Sequence, residues 1–336
     1  MKKKILICGA GGFIGGHLAS KFSKDNNIEL VCADIKPIEY WFQNFDKAKN
    51  FSLDLKDYDN TLKVSDGADY IFNFACNMGG MGFIENNKAE CMLSVLINAN
   101  LLRAAKENKS KKYFFSSSAC VYNGSKQNQT FIEGLKETDA YPADPEDGYG
   151  WEKLFSERMC RHFTEDFGLE TRVVRYHNIY GPLGTFDGGR EKAPAALCRK
   201  IINAKKKNDN KIDVWGDGEQ TRSFLYIDDC IKGTLDVFNS DSSEVYNIGS
   251  EEQVSINQMI TMIEEIADFN VKKNYQLDKP KGVRGRSSDN SYVTKKIGWN
   301  PENSLKEGLT KTYKWIEQQI NSGSNIDKFC RGNIEK

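Results

Sequence analysis

The chain has 336 residues, enough for one large domain or two modest domains with a full hydrophobic core. Basic and acidic residues number 47 each, so the net charge favours neither nucleic acid nor another strongly charged macromolecule as a partner. No apolar run reaches the ~18 residues that a membrane helix needs, and nine cysteines without a Cys-x-x-Cys motif indicate reduced thiols in the cytoplasm.

The first predicted elements are a buried strand, a glycine-rich turn and a helix. The apolar run 4–8 leads into Gly-Ala-Gly-Gly-Phe-Ile-Gly at 9–15, which is followed by residues with helical period. The first glycine permits a sharp bend, the middle one lets the backbone approach a pyrophosphate, and the last packs helix on strand. The helix N-terminus offers N–H groups to phosphates, although a turn that binds no ligand is the alternative. The candidate cofactor residues here are Gly9, Gly12, Phe13, Ile14 and Gly15.

Two acidic residues follow the next predicted strands. The strand 29–33 ends at Asp34, about 20 residues past the turn, where a carboxylate binds the ribose hydroxyls of the adenosine. Such a carboxylate would repel a 2′-phosphate, which predicts NAD, although Lys36 nearby leaves NADP open. Asp54 follows a third strand and is either a contact for the adenine edge or an acid that forms a turn.

Two further strands bring glycine-rich and polar segments to the same edge of the sheet. The strand 68–75 opens into the glycine-rich turn 77–83, after which a single long helix is predicted from Ile84 to about Lys109. The strand 112–116 then leads to Ser118 and Cys120. The alternation of strands and helices predicts an α/β fold with a doubly wound Rossmann parallel sheet, and ligands bind such sheets beyond the carboxyl ends of the strands.

Tyr149 and Lys153 stand four residues apart on one face of a predicted helix, with about 5–6 Å between their Cβ atoms. A lysine ammonium beside a phenol favours the phenolate and lowers the pKa of the tyrosine. The tyrosine can then take a proton from a sugar hydroxyl and return it. By spacing alone, an ordinary helical pair is the more frequent explanation.

Taken together, these residues resemble the extended short-chain dehydrogenase/reductases that modify nucleotide sugars. The glycine pattern, Asp34, Ser118, Tyr149 and Lys153 occur in the order of that family. Several blocks between residues 4 and 320 are similar to one branch of the family, the GDP-mannose 3,5-epimerases. These blocks are Met78–Ile84, Ser117–Tyr122, Arg175–Pro182, Gly188–Ala195, Trp215–Phe224 and Gly282–Asp289.

The resemblance implies a mechanism for epimerising a GDP-sugar with bound NAD. Tyr149 takes the C4 hydroxyl proton while hydride goes to NAD, Ser118 binds the oxygen that becomes a ketone, and Lys153 also holds the nicotinamide ribose. The ketone acidifies the C–H bonds at C3 and C5, and Cys120 and Lys192 are the implied acid/base pair. The hydride then returns to the sugar, so the reaction causes no net oxidation. The alternatives for the acid/base pair are that Cys120 is a buried structural cysteine and Lys192 a surface lysine.

The predicted substrate contacts include cations for the pyrophosphate, since arginine can bind phosphate oxygens with two parallel hydrogen bonds. The candidates are Lys200, Arg222 and Arg286, with Arg284 as a competitor of Arg286. The other predicted contacts are Gly79, Ser118, Cys120, Asn178, Glu191, Lys192, Ala193 and Gln220. No His/Cys/Asp cluster has the spacing of metal ligands.

Beyond residue 179 the strand–helix alternation loosens, and amphipathic helices are predicted at 194–207, 255–268 and 304–320. We expect an NAD-binding domain from residues 1–180 plus about 223–250, a discontinuous nucleotide-sugar domain from about 181–222 plus 251–325, and a tail from 326–336. The resemblance alone implies a homodimer through the helices at 84–109 and 148–167.

Three other functions remain open at this point. A nucleotide-sugar 4-epimerase would not need Cys120 and Lys192, and a 4,6-dehydratase places an Asp-Glu pair where this chain has Ala119 and Cys120. A non-catalytic protein that senses NAD could dispense with Tyr149 and Lys153.

Overall fold

The structure is a computed structural model, and it describes residues 2–323 and 326–330. Its strands are β1 (Lys3–Cys8), β2 (Ile28–Asp34), β3 (Lys49–Ser52), β4 (Tyr70–Asn73), β5 (Lys112–Ser118), β6 (Glu170–Tyr176), β7 (Ile179–Tyr180), β8 (Lys211–Trp215), β9 (Thr221–Ser223), β10 (Leu225–Tyr226), β11 (Val245–Ile248), β12 (Gln253–Ser255), β13 (Lys272–Gln276) and β14 (Gly285–Arg286). Its α-helices are α1 (Phe13–Phe22), α2 (Tyr58–Ser65), α3 (Met81–Asn86), α4 (Lys88–Met92), α5 (Ser94–Glu107), α6 (Asp147–Phe167), α7 (Ala193–Lys207), α8 (Ile227–Asn239), α9 (Ile256–Ala267), α10 (Ser291–Ile297), α11 (Leu305–Ser322) and α12 (Ile326–Cys330).

A seven-stranded sheet with the order β11-β6-β5-β4-β1-β2-β3 forms the centre of the fold, and every neighbouring pair in it is parallel. In β1, Ile5 and Ile7 belong to one hydrophobic cluster, whereas Leu6 and Cys8 belong to a second one. Successive side chains of a strand point to opposite faces, so both faces of the sheet are covered. The predicted doubly wound parallel sheet is confirmed.

The long helix predicted from Ile84 to about Lys109 is wrong, because the structure has three helices there, α3, α4 and α5. Asn87 lies at the first break with φ −132° and ψ 44°. The side chain of Asn86 donates to the carbonyl oxygen of Gly82 at 2.6 Å, and that of Asn87 donates to Phe83 at 2.9 Å. Such bonds compete with the helical hydrogen bonds of the backbone and explain why the helix ends here.

The three amphipathic helices predicted beyond residue 190 are present as α7, α9 and α11. Ser255 and Ser304 begin α9 and α11 with capping boxes, in which the N-cap hydroxyl and the side chain three residues later bond each other's backbone N–H. Among the described residues, none of the helices combines the length and the apolar character needed to cross a membrane.

A buried ion pair fixes α6 against the sheet. Glu157 of α6 and Arg175 of β6 approach to 2.7 Å, and their side chains are only 5% and 3% exposed. The same carboxylate accepts a hydrogen bond from the hydroxyl of Ser117 in β5 at 2.5 Å. Because α6 begins just before Tyr149, this network sets the position of the tyrosine relative to the end of β5.

Small sheets bring the second half of the chain to the carboxyl edge of the main sheet. One has the order β12-β9-β14, and its parallel pairing places Arg286 beside Arg222. The strands β7 and β10 form another pair, as do β8 and β13. The strand β11 instead returns to the main sheet beside β6, as the sequence predicts for residues 245–249.

Candidate active site

The glycine-rich turn between β1 and α1 fits a dinucleotide. Gly9 has φ +83°, and a Cβ atom there would stand 2.8 Å from the carbonyl carbon of Phe74. A Cβ atom on Gly15 would collide with the carbonyl oxygen of Gly9, so the helix packs on the turn only without a side chain. Gly12 caps α1 without a side-chain hydrogen bond, which leaves the first N–H groups of the helix available for phosphate oxygens.

Asp34 ends β2 as predicted, is buried, and lies beside this turn. Burial raises the pKa of Asp34, and the neighbouring Lys36 opposes that effect. The ammonium of Lys36 is 3.4 Å from the carbonyl oxygen of Gly11 and 3.9 Å from the ring centroid of Phe42. A contact of Asp34 with the adenosine ribose remains a prediction.

Asp54 follows β3, and its carboxylate accepts a hydrogen bond from the backbone N–H of Lys56 at 2.9 Å. Lys56 also brings its ammonium within 3.6 Å of the same carboxylate. These contacts agree with the turn-forming role that the sequence left open. A contact with the adenine edge remains a prediction.

Ser118, Tyr149 and Lys153 come together at the carboxyl end of β5. Ser118 is the last residue of this strand, and its side chain contacts the hydroxyl of Tyr149. The ammonium of Lys153 is 5.6 Å from the centroid of the Tyr149 ring and 4.7 Å from that of Phe115. All three therefore have the arrangement that the sequence pattern predicts.

The pKa of Tyr149 differs from the expectation. Burial raises it well above its ordinary value, and the nearby thiols of Cys76 and Cys120 raise it further. Burial alone would lower the pKa of Lys153, but Cys76 and Glu152 raise it, and the Glu152 carboxylate is 3.6 Å from the ammonium. Burial and these neighbours therefore outweigh any lowering of the pKa of Tyr149 by Lys153.

Cys120 lies just past β5, and its thiol faces a guanidinium and a carboxylate. Arg286 donates to the sulfur at 3.6 Å, and the same guanidinium is ion-paired with Glu146 at 2.9 Å. Burial and Glu146 raise the pKa of Cys120 to about 11, and Arg286 only partly opposes them. The positive neighbour does lower the pKa of Cys120, but burial and Glu146 outweigh it.

Lys192 stands at the N-cap of α7 and faces the same cavity as Cys120. Its pKa is lowered, first by burial and then by Arg286, while Cys120 and Cys76 oppose this. Burial contributes more to this lowering than the crowding of cations does. An amine and a thiol are thus both within reach of one bound molecule.

A cavity of about 610 Å³ opens at this edge of the sheet and is lined by residues from both halves of the chain. All of the predicted substrate contacts are in its wall. They are Gly79, Ser118, Cys120, Asn178, Glu191, Lys192, Ala193, Lys200, Gln220, Arg222 and Arg286. The competitor Arg284 is instead bonded to both carboxylate oxygens of Asp217 at 2.9 Å and is absent from this wall.

The polar wall residues differ in how far their side chains are already committed. Lys200 donates to the carbonyl oxygen of Asp213 at 2.7 Å, and Asn178 donates to that of Ser223 at 3.1 Å. Glu191 accepts a hydrogen bond from the N–H of Gly189 at 2.7 Å. The buried side-chain oxygen of Gln220 accepts no hydrogen bond from the described residues, which makes it a ready acceptor for a ligand.

Sequence reasoning missed two residues that shape the cavity. Glu146 is the N-cap of α6 and reaches Arg286, and its only sequence signal is an acid three residues before Tyr149. Arg190 donates to the carbonyl oxygen of Met78 at 3.2 Å and lies 3.9 Å from the ring centroid of Phe83. It therefore holds the glycine-rich turn 77–83. Its only sequence signal is membership of the block Gly188–Ala195, whose resemblance to the family does not single out Arg190. In the part of the chain that the structure describes, no group of side chains could hold a metal ion.

Comparison with known proteins places these features in a family. A model described as the NAD dependent epimerase/dehydratase family matches residues 5–249. The chain is 46% identical over 320 residues to GDP-mannose 3,5-epimerase 1 of Oryza sativa subsp. japonica, covering 95% of this chain and 83% of that protein. It is also 46% identical over 333 residues to GDP-mannose 3,5-epimerase of Arabidopsis thaliana, covering 97% and 86% respectively.

Solved structures of related enzymes have the same fold. UDP-glucuronic acid 4-epimerase from Bacillus cereus, in complex with UDP-glucuronic acid and NAD, superposes with a TM-score of 0.79 at 27% identity, covering 94% of this chain and 99% of that one. UDP-glucose 4-epimerase from Thermotoga maritima with UDP-glucose gives a TM-score of 0.83 at 23% identity, with the same coverage.

Proposed function

Because this chain belongs to the NAD dependent epimerase/dehydratase family, we propose that it is a GDP-mannose 3,5-epimerase. It is an isomerase of nucleotide sugars that works with NAD. Inversion at C3 and C5 of GDP-D-mannose gives GDP-L-galactose, and inversion at C5 alone gives GDP-L-gulose. The observation that carries the proposal is the wall of one cavity, in which Cys120 and Lys192 accompany Ser118 and Tyr149.

When bound, NAD supplies a reversible two-electron oxidation at C4 of the sugar. Tyr149 takes the proton of the C4 hydroxyl and later returns it, and Ser118 donates a hydrogen bond to the oxygen that becomes a ketone. Lys153 keeps its ammonium charged beside Glu152 and binds the nicotinamide ribose. Tyr149 can act as the base only as a phenolate, so its own proton must first be released to solvent. Burial, which raises the pKa of Tyr149, opposes this loss, whereas the ammonium of Lys153 near the ring favours the phenolate.

Cys120 and Lys192 exchange the protons at the carbons next to the ketone. One group removes a proton from one face of the ring, and the other delivers a proton to the opposite face. Each such transfer contributes about 10²–10⁴-fold to the rate. The two groups suit this role because both titrate and both face the cavity. A 4-epimerase would need neither of them.

The diphosphate binds at the paired strands β9 and β14. Arg222 and Arg286 are opposite each other in this pairing and both line the cavity. Burial and the charge of Arg286 lower the pKa of Arg222 to about 10, and Glu146, which pairs with Arg286, only partly opposes this, so an anion beside Arg222 stabilises its charged form. Lys200 and the free oxygen of Gln220 extend the polar wall away from the reacting carbons.

The decisive experiment follows deuterium from heavy water into the sugar, with GDP-mannose and a panel of UDP-sugars as substrates. NMR should find deuterium at C3 and C5 of GDP-mannose. Inversion at C4 of a UDP-sugar without label at either carbon would instead identify a 4-epimerase. Cys120→Ala should abolish the exchange while some reduced cofactor still forms, and Cys160→Ala, a buried thiol outside the cavity wall, is the control.

Three features of the molecule as a whole belong to the same proposal. The homodimer forms through α4, α5 and α6, where Met92, Leu93, Leu96, Trp151 and Phe155 are between 42% and 58% exposed. The protein works in the cytoplasm, which is consistent with the eight cysteines described being free. The NAD-binding domain comprises residues 1–180 and about 223–250, and the nucleotide-sugar domain about 181–222 and 251–325. Of the tail expected at 326–336, residues 326–330 form α12, where Phe329 is buried against Phe42 and Trp315, and residues 331–336 lie outside the described part of the chain.

A further inference from the structure

Glu146 occupies a position from which it can control the candidate acid/base cysteine. It is the N-cap residue of α6, three residues before Tyr149, and its side chain is 13% exposed. Its backbone N–H donates to the carbonyl oxygen of Cys120 at 2.8 Å, and its carboxylate contacts the Cys120 thiol. The N-terminus of α6 is therefore attached directly to the segment that carries Cys120.

Arg286 completes a buried group of three side chains. Its guanidinium donates to Glu146 at 2.9 Å, to Gln127 at 2.6 Å and, more weakly, to the sulfur of Cys120 at 3.6 Å. Because Arg286 is almost entirely buried, its charge acts on the thiol with little screening by water. Glu146 neutralises that charge at the point where it would otherwise favour the thiolate.

We propose that Glu146 is a positioning residue for Cys120, and that its carboxylate sets the proton affinity of the thiol and the pH range in which Cys120 exchanges protons with the sugar. This inference rests on the proposed function, in which Cys120 is one half of the acid/base pair. The direction of the pKa of Cys120, raised first by burial and next by Glu146, agrees with it. Burial and the carboxylate together favour the protonated thiol in the free enzyme.

Several other side chains face the thiol of Cys120. The titratable and charged side chains that interact with Cys120 are Glu146 and Tyr149 from α6, Arg286 from β14, Arg222 from β9, Lys192 beside α7 and Cys91 from α4. Glu146 is the carboxylate among them. Replacing it with glutamine keeps the size of the side chain and removes the negative charge, so the remaining cations should lower the pKa of Cys120.

The first experiment measures alkylation of Cys120 by iodoacetamide as a function of pH, with mass spectrometry of the peptide that contains it. In Glu146→Gln the inflection should move to lower pH. Below that inflection, alkylation should be about three- to fourfold faster for each unit by which the pKa falls, because the thiolate fraction rises tenfold while its nucleophilicity declines. Glu146→Asp should restore the wild-type profile by restoring the charge.

The control is Glu85→Gln, which removes a neighbouring carboxylate that interacts with Glu146 but does not line the cavity. It should leave the alkylation profile unchanged. An equal shift in Glu85→Gln and Glu146→Gln, or no shift in a folded Glu146→Gln protein, would overturn the inference. Circular dichroism and NAD binding establish that each variant is folded.

The second experiment records the pH dependence of deuterium exchange into GDP-mannose. In Glu146→Gln the limb that Cys120 governs should move to lower pH with the alkylation inflection. If alkylation shifts but even the wild-type enzyme exchanges no deuterium, the proposed function fails while the control of the thiol stands. If the wild type exchanges deuterium and neither profile moves in the variant, the role of Glu146 is refuted.

Discussion

Replacing Glu157 with glutamine should strongly destabilise the protein, although the change is nearly isosteric. Three donors converge on the two carboxylate oxygens, namely the Ser117 hydroxyl at 2.5 Å and two guanidinium N–H groups of Arg175 at 2.9 Å and 2.7 Å. Glutamine exchanges one oxygen for an NH₂ group, which then faces a donor. The variant also leaves the buried charge of Arg175 without a counter-charge.

The expected cost is about 3–5 kcal/mol, the range found when one partner of a buried ion pair is removed. This is a large part of the roughly 5–15 kcal/mol by which a typical domain is stable. Urea denaturation followed by circular dichroism measures the loss. Glu165→Gln is the matched control, since it breaks an exposed pair with Arg161 on the same helix and should leave the unfolding curve nearly unchanged.

A loss below about 1 kcal/mol for Glu157→Gln would refute the reasoning, because it would mean that the buried pair contributes no more than an exposed one. If the loss has the expected size, the variant should also incorporate deuterium into C3 and C5 of GDP-mannose more slowly than the wild type, at temperatures where the variant is still folded. The helix α6 carries Tyr149 and is tied to the end of β5 by this network.

Three further predictions test other parts of the molecule. Gly15→Ala should weaken NAD binding, measured by calorimetry, by about 5- to 150-fold, since overpacking costs about 1–3 kcal/mol. The added methyl group would meet the carbonyl of Gly9. An unchanged affinity would mean that the turn adapts to the methyl group. Phe155→Glu should give a monomer in analytical ultracentrifugation, because it places a charge on the proposed dimer surface; a stable dimer would exclude that surface. Arg222→Met should raise KM for GDP-mannose at least tenfold, which is the effect of about 1.4 kcal/mol of lost binding. The control Arg284→Met should leave KM unchanged, since Asp217 already binds Arg284. Equal effects of the two variants would contradict the assignment of Arg222 to the diphosphate.

The sequence predicts the fold because the order of strands, turns and helices follows from local patterns, whereas most of the residues in the cavity wall are expected only from the family resemblance. Strand, glycine turn and helix in that order predict where Gly9 and Gly15 lie, and the end of β2 predicts Asp34. In a parallel sheet the carboxyl ends of all strands meet at one edge, so Ser118 and Asp34 can be assigned to the same side of the molecule without knowing any contact.

The protonation states could not be predicted in this way. A spacing of four residues brings Lys153 near Tyr149, but the pKa of the tyrosine depends on how completely other segments bury it and on Cys76. Likewise, the thiol of Cys120 meets both Arg286 and Glu146, and only tertiary structure reveals that the carboxylate and burial outweigh the guanidinium. Charge balance in a buried site depends on residues that are distant in the sequence.

The sequence also could not decide which of Arg284 and Arg286 faces the cavity, because that too depends on tertiary structure. The two residues are separated by one glycine, and both are arginines, so the pattern cannot rank them. The pairing of β14 with β9 turns Arg286 towards Arg222, whereas Arg284 reaches Asp217. The break at Asn87 was missed for a related reason, because its cause is a side chain that bonds the backbone of the preceding turn.

The position of β11 has a practical consequence for anyone who wishes to cut this enzyme into pieces. This strand comes late in the chain yet forms the outermost row of the main sheet, and Asn247 within it bonds His177 at 3.0 Å and the carbonyl of Leu135 at 2.8 Å. A fragment ending near residue 180 would therefore leave the hydrogen-bonding edge of β6 unpaired and these polar groups without their partners. The NAD-binding domain therefore cannot be excised as an N-terminal fragment, and fusions or chimaeras should keep the chain intact through at least residue 249.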